Sequence, residues 1–181
     1  LHVFYFITRK KSLEDAAFHR YWKEAHGPIV KKIGALQRYV QLHRVPFPNQ
    51  NSPYDGAAEV WVENEAALDA VMRDPAYLDG ALADEPNFID MSCTEWLTTE
   101  DHVFIDGTPG PSAVKMVFPL KRQRHFSRAE GKRYWLDVHG PIVAAVPGLR
   151  RYVQSHTVDA AYRYAEPRWD GVAQLWLDGV A

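Results

Sequence analysis

The 181-residue sequence predicts an α+β protein made of two fused β-α-β-β-α-β units, the second incomplete at its C-terminal end. Three observations carry that expectation. One stretch of the chain repeats at a constant offset, the repeat reads as strand, helix and strand, and a Gly/Pro-rich linker separates the copies. Arg20-Tyr21-Trp22, His26-Gly27-Pro28-Ile29-Val30, Arg38-Tyr39-Val40-Gln41 and His43 recur as Arg133-Tyr134-Trp135, His139-Gly140-Pro141-Ile142-Val143, Arg151-Tyr152-Val153-Gln154 and His156, each 113 positions later. Residues 1–45 align with 114–158 without a gap, and seventeen positions are identical, Arg9 and Arg122 among them.

The elements follow from composition and period. Val3-Phe4-Tyr5-Phe6-Ile7 is β-branched and aromatic, hence a strand. Ser12 is the expected helix N-cap, with Asp15 in the first turn. Phe18, Tyr21, Trp22 and Ala25 then form one apolar stripe at helical spacing. In the second copy Ser127 and Glu130 make a capping box. Pro28 and Pro141 lack an amide hydrogen, so a helix break is expected at His-Gly-Pro in both copies, with each histidine at the discontinuity. Residues 38–43 form the second strand, on which Tyr39, Gln41 and His43 share a face. A turn-rich loop covers 44–56, and a third strand covers 59–62. Asn64 caps a helix over 65–72 that stops at Asp74-Pro75, and an apolar turn follows over 77–82. An acidic turn at Asp84-Glu85-Pro86 and a fourth strand near 94–98 close the order β-α-β-β-α-β, which is the ferredoxin-like unit.

The first unit is thus expected over 1–106, the linker over 107–112 and the second unit over 113–181. Lys115 to Leu120 repeats the first strand, with Pro119 suggesting an edge. Tyr54-Asp55-Gly56 recurs as Trp169-Asp170-Gly171 and Trp61 as Trp176, now 115 positions apart. At that offset the counterpart of residue 106 would be about residue 221 (106 + 115), so the last helix and strand of the second unit are expected to be missing. The two units are expected to pair as an intramolecular pseudo-dimer, with a further homodimer left open.

Composition narrows the function. A hydrophobic content of 46%, with six Trp, nine Tyr and eight Phe, is ample for a core and excludes disorder. A formal charge of −2 argues against a nucleic-acid-binding face. Cys93 is the only cysteine, so no internal disulfide forms and a cytoplasmic setting is expected. No apolar run approaches ~18 residues, which argues against a membrane-spanning helix. Neither His-Glu-x-x-His nor Cys-x-x-Cys spacing occurs, nor a Gly-rich dinucleotide or phosphate loop, nor a Gly-x-Ser-x-Gly elbow. No metal and no cofactor are therefore expected.

The pattern Phe18-x-x-Tyr21-Trp22-x3-His26-Gly27-Pro28, Arg38-Tyr39-Val40-Gln41-x-His43 and Gly56-x-x-Glu59-x-Trp61 resembles the EthD family. So does Asp84-Glu85-x-Asn87-Phe88-Ile89-Asp90. The second copy departs from it at Gly131, where the pattern has Phe, and lacks the acidic Asn-Phe-Ile-Asp segment. The resemblance implies a dimeric α/β-barrel, in which two ferredoxin-like sheets pair and each pocket lies between a unit's helices and its sheet. It also implies an association with ethyl tert-butyl ether degradation. That superfamily spans cofactor-free monooxygenases, isomerases, polyketide cyclases, decarboxylases and haem proteins, so fold alone does not decide function.

The candidate site follows from the repeated polar residues. His26, His139, His43 and His156 are the candidate proton carriers, since an imidazole titrates near neutral pH. Tyr39, Gln41, Tyr152 and Gln154 are the candidates for orienting a substrate oxygen. Tyr21, Trp61 and Trp176 are the candidates for an aromatic binding wall, against their alternative role as core. The expected ligand is a small aromatic or apolar molecule. Three functions are compatible: cofactor-independent decarboxylation, dehydration, cyclisation or isomerisation; cofactor-free oxygenation; and accessory binding in ether or aromatic catabolism.

Overall fold

The computed structural model describes residues 1–47, 52–163 and 165–178. Residues 48–51 of the expected 44–56 loop lie outside them. The chain forms two compact units, Leu1–Trp96 and Leu97–Ala181. The division falls ten residues before the end expected from the repeat (106 − 96), because of where one long strand pairs.

In unit one, β1 (His2–Ile7), β2 (Arg38–His43) and β3 (Gly56–Trp61) form an antiparallel sheet with β3 in the middle. Between β1 and β2 run α1 (Asp15–Tyr21), a π-helical turn (Trp22–His26) and α2 (Gly27–Val30). After β3 come α3 (Glu65–Val71), a second π-helical segment (Ala76–Leu82) and a 3₁₀ turn (Glu85–Asn87). Asn64 caps α3 by accepting from the Ala67 amide at 2.9 Å. The core beneath the helices is Ile7, Phe18, Trp22, Ala58, Phe88 and Ile89, and a second cluster gathers Val30, Ile33, Val62, Val71 and Ala81.

The expected fourth strand starts near the right place but is much longer. β4 runs Glu95–Asp106, and from Thr99 onward its ladder is with β6 (Leu149–Thr157) of unit two. Unit two continues with β5 (Val114–Leu120), α4 (Arg128–Tyr134), a π-helical turn (Trp135–His139), α5 (Gly140–Ala144) and β7 (Gly171–Leu177). Its strands lie in the order β4-β6-β7-β5, and β5 pairs with β7 alone in this unit, which agrees with the edge inferred from Pro119. Both units are ferredoxin-like in their mixture of antiparallel sheet and packed helices.

Two local expectations change. The helix does not break at His-Gly-Pro: His26 and Gly27 keep right-handed helical angles, and Gly27 N–H donates to the Trp22 carbonyl five residues back. Pro28 has no amide to offer Glu24, and its ring would collide with that carbonyl in an α register. One wide π turn absorbs both problems without stopping the helix. The same turn recurs at Trp135–His139, where Gly140 N–H donates to the Trp135 carbonyl. Nor is Ser12 the N-cap of α1. Glu14 holds that position, in register with Ser127, whose capping box with Glu130 is present in full.

Repetition of Asp-Gly has a packing cause. A Cβ on Gly56 would fall 2.6 Å from both the Trp22 ring and the Leu42 carbonyl, and one on Gly171 would fall 2.5 Å from the Trp135 ring. Only glycine lets the indole lie on the strand. The preceding aspartates accept from the Arg9 and Arg122 amides, at 2.9 Å and 2.7 Å, and hold the loop after each first strand.

Candidate functional site

In both units a glutamine ties the π turn to the sheet. Gln41 Nε2 donates to the Trp22 carbonyl at 2.8 Å and to Tyr39 Oη at 3.0 Å. Gln154 Nε2 does the same to the Trp135 carbonyl at 2.9 Å and to Tyr152 Oη at 2.7 Å. A carbonyl can only accept, so the amide nitrogen must face it and Oε1 must face the neighbouring histidine. His43 Nε2 lies 3.2 Å from Gln41 Oε1, and His156 Nε2 lies 2.9 Å from Gln154 Oε1. Each histidine therefore carries its hydrogen on Nε2 and presents a lone pair at Nδ1. Tyr39, Gln41 and His43 do share one face, as do Tyr152, Gln154 and His156, but both glutamine amides are spent on structure.

Beyond that shared frame the units differ. In unit one His43 Nδ1 lies 2.9 Å from His19 Nδ1, which supplies its donor. His26 turns to a second cluster, with Nδ1 2.9 Å from Asp84 Oδ2. Asp84 Oδ1 accepts from Tyr21 Oη at 2.6 Å and from Asn87 Nδ2 at 2.9 Å. Burial pushes the Asp84 carboxyl up, but Tyr21, Asn87 and His26 together hold it below its ordinary value. Burial pushes His26 down by more than Asp84 raises it. Phe88, fully buried, closes the cluster, its ring centre 4.9 Å from His26 and 5.3 Å from Tyr21. The Lys10 amide fixes the Phe88 carbonyl at 2.9 Å. Beside it Glu85, buried and hydrogen-bonded by Tyr5 Oη at 2.9 Å, is pushed up to about 7 by burial. A shallow groove on the outer face of α1 touches Tyr21 but neither His26 nor His43.

Unit two holds a cavity of about 330 Å³ lined by His139 and His156 together. Phe126, Tyr134, Trp135 and Tyr162 give it aromatic walls, and Gly131 and Lys132 form part of its helical side. Gly131 stands where unit one has Phe18 and Lys132 where it has His19. Among the described residues nothing takes the place of Phe88 or Asp84, and His139 is exposed. His156 is buried beneath Trp135 at a ring separation of 4.3 Å, and burial, aided by His102 and Lys132, pushes it down to about 3. Three of the four cations lining it are engaged: Arg122 with Asp170 and with Glu166 at 2.9 Å, Lys121 with Glu166, and Arg128 with Asp159 at 3.6 Å.

Trp61 and Trp176 do not join these sites. Trp61 pairs with His2 and Arg38, and Trp176 with Lys115 and Arg151, so both rings fall on the sheet faces opposite the histidines. Arg38 stacks over Trp61 at 4.6 Å, and Lys115 over Trp176 at the same distance. Asp84, Asn87 and Phe88 were visible in sequence only as part of the family-like acidic segment, and Gly131 only as a departure from the pattern. Lys132, His19 and Tyr162 gave no signal. Among the described residues no group of three His, Cys, Asp or Glu side chains could hold a metal ion, and no helix is long and apolar enough to cross a membrane.

The EthD domain matches residues 10–92 and 123–181. The chain belongs to the EthD family. No curated protein matches it. Its fold is similar to that of a candidate monooxygenase from Lactobacillus acidophilus, with a TM-score of 0.54 and 10% identity over 98% of this chain and 76% of that one. A candidate monooxygenase from Fusobacterium nucleatum gives 0.52 and 13% over 99% and 75%. An EthD family protein from Bacillus halodurans gives 0.43 and 14%, over 52% of this chain and 93% of that one. At these identities the likeness is one of fold.

Proposed function

We propose that this EthD protein binds a small aromatic or apolar molecule in the unit-two cavity and performs cofactor-independent acid–base catalysis on it. The reaction class is decarboxylation, dehydration, cyclisation or isomerisation. The observation that carries this reading is the joint lining of one aromatic cavity by His139 and His156. Their roles divide by environment. His156, buried and held in one tautomer by Gln154, accepts a hydrogen bond and orients the ligand. His139, open to the cavity and to solvent, removes a proton and returns it elsewhere on the substrate, exchanging with water between turnovers. Trp135 and Tyr162 confine the ring and exclude water from the reacting carbon.

His139→Ala should remove turnover by roughly two to four orders of magnitude while leaving ligand affinity within a few-fold. Full turnover in that variant sinks the acid–base reading. A second reading, cofactor-free oxygenation of the same deprotonated ligand, is favoured by the fold shared along nearly the whole chain with two candidate monooxygenases. Dioxygen uptake stoichiometric with turnover selects it, and anaerobic turnover selects the first.

A further inference from the structure

We infer that the unit-two cavity takes a singly charged carboxylic acid carried on an apolar ring, with the Lys132 ammonium as its counter-ion. This names the substrate class of the cavity and rests on reading that cavity as the ligand site. Lys121, Arg122, Arg128 and Lys132 are the cations that line it. Three carboxylates meet three of them one for one: Glu166 with Lys121, Asp170 with Arg122 and Asp159 with Arg128. Lys132 is half-buried on the cavity wall, and among the described residues no carboxylate lies within ion-pairing distance of it. A cation drawn out of water without a counter-charge costs free energy, which an arriving anion recovers. The duplicated scaffold does not demand a charge at this point. Unit one has His19 there and turns it to His43, with the two Nδ1 atoms 2.9 Å apart.

The rest of the cavity sets the body and the charge of the anion. Phe126, Trp135 and Tyr162 call for a ring. Burial, and after it His102 and Lys132, push His156 down to about 3, so its imidazole stays neutral and adds no second positive charge. One uncompensated ammonium matches one carboxylate. A phosphate monoester, with nearly two negative charges at neutral pH, would keep one of them unpaired. The whole chain carries a formal charge of −2, so attraction for an anion has to be local, and Lys132 supplies it. Lys132 thus fixes the acid group, and His139 keeps its role in moving the proton.

Calorimetric titration with 2-naphthoate, 2-naphthamide and 2-naphthol tests this at pH 8, where ordinary imidazoles and phenols are both uncharged. The three probes share a ring, and only the first is an anion. The wild-type protein should bind 2-naphthoate at least roughly tenfold more tightly than either neutral probe. Lys132→Gln should erase that preference while the neutral probes keep their affinities within about threefold, and Lys132→Arg should preserve it. Thermal melting checks the fold of both variants. Equal affinity for all three probes in the wild type, or a preference that survives Lys132→Gln, overturns the inference and leaves the cavity as a ligand site. If none of the three binds, the inference and the reading of the cavity fall together.

Discussion

The two units share a His-Gly-Pro π turn and a Tyr-x-Gln-x-His strand, yet one encloses its histidine and the other exposes it. In unit one Phe18 and Phe88 fill the space over the turn, and Asp84 takes the His26 imidazole. In unit two Gly131 replaces Phe18, nothing described replaces Phe88, and about 330 Å³ opens between His139 and His156. The contrast extends to the sheet: Ile7 is 1% exposed and its counterpart Leu120 37%. The repeated motif is therefore a scaffold, made of a glutamine fastening a π turn to a strand. What the scaffold does depends on the residues packed over it.

Phe88→Ala is the strongest way to break the comparison. The ring is fully buried against Phe18, Tyr21 and His26, so its removal should cost unit one about 3–5 kcal/mol in denaturant unfolding. It should also open a cavity over His26 resembling that of unit two. A loss below about 1 kcal/mol would mean that Phe88 is not what closes the site. Gly131→Phe is the converse change, with a somewhat smaller effect. The Cβ would lie 3.1 Å from the Arg122 side chain, a flexible neighbour that can give by a few tenths of an ångström. The ring should fill the cavity and weaken 2-naphthol binding by at least about thirtyfold, roughly 2 kcal/mol, with the melting temperature nearly unchanged. Undiminished affinity would place the ligand elsewhere.

Much of this was legible in sequence because duplication prints the same residues twice. The strands over 38–43, the Asn64 cap and the Ser127–Glu130 box were readable from spacing alone. The π turns were not, since Pro28 states only that an α register fails there, and whether the chain stops or widens depends on Gln41 reaching across from the sheet. The extent of β4 was hidden for a related reason. Residues 95–106 read as a short strand and a tail, and only pairing with β6 makes them one element. Tautomers and partners were further out of reach. His26 and His139 open the same His-Gly-Pro-Ile-Val run, and what holds His26 comes from Asp84 and Phe88, some sixty residues away (84 − 26 = 58).

Asp84 supports the finest distinction between the two histidines. It accepts from Tyr21, Asn87 and His26, so Asp84→Ala strands three donors in a partly buried pocket and should cost about 1–2 kcal/mol at neutral pH. The sign with pH follows from the carboxyl being held below its ordinary value of 3.8. A depressed carboxyl stabilises the fold at every pH above the unfolded value, and that contribution disappears as pH falls through the folded one. The stability gap between wild type and Asp84→Ala should therefore be full at pH 7 and shrink below about pH 4. Asp84 does not line the unit-two cavity, so the same substitution should leave 2-naphthol binding untouched. A gap that is constant from pH 7 to pH 3 would show that the cost is one of lost packing, and that unit one's histidine is held by Phe88 alone.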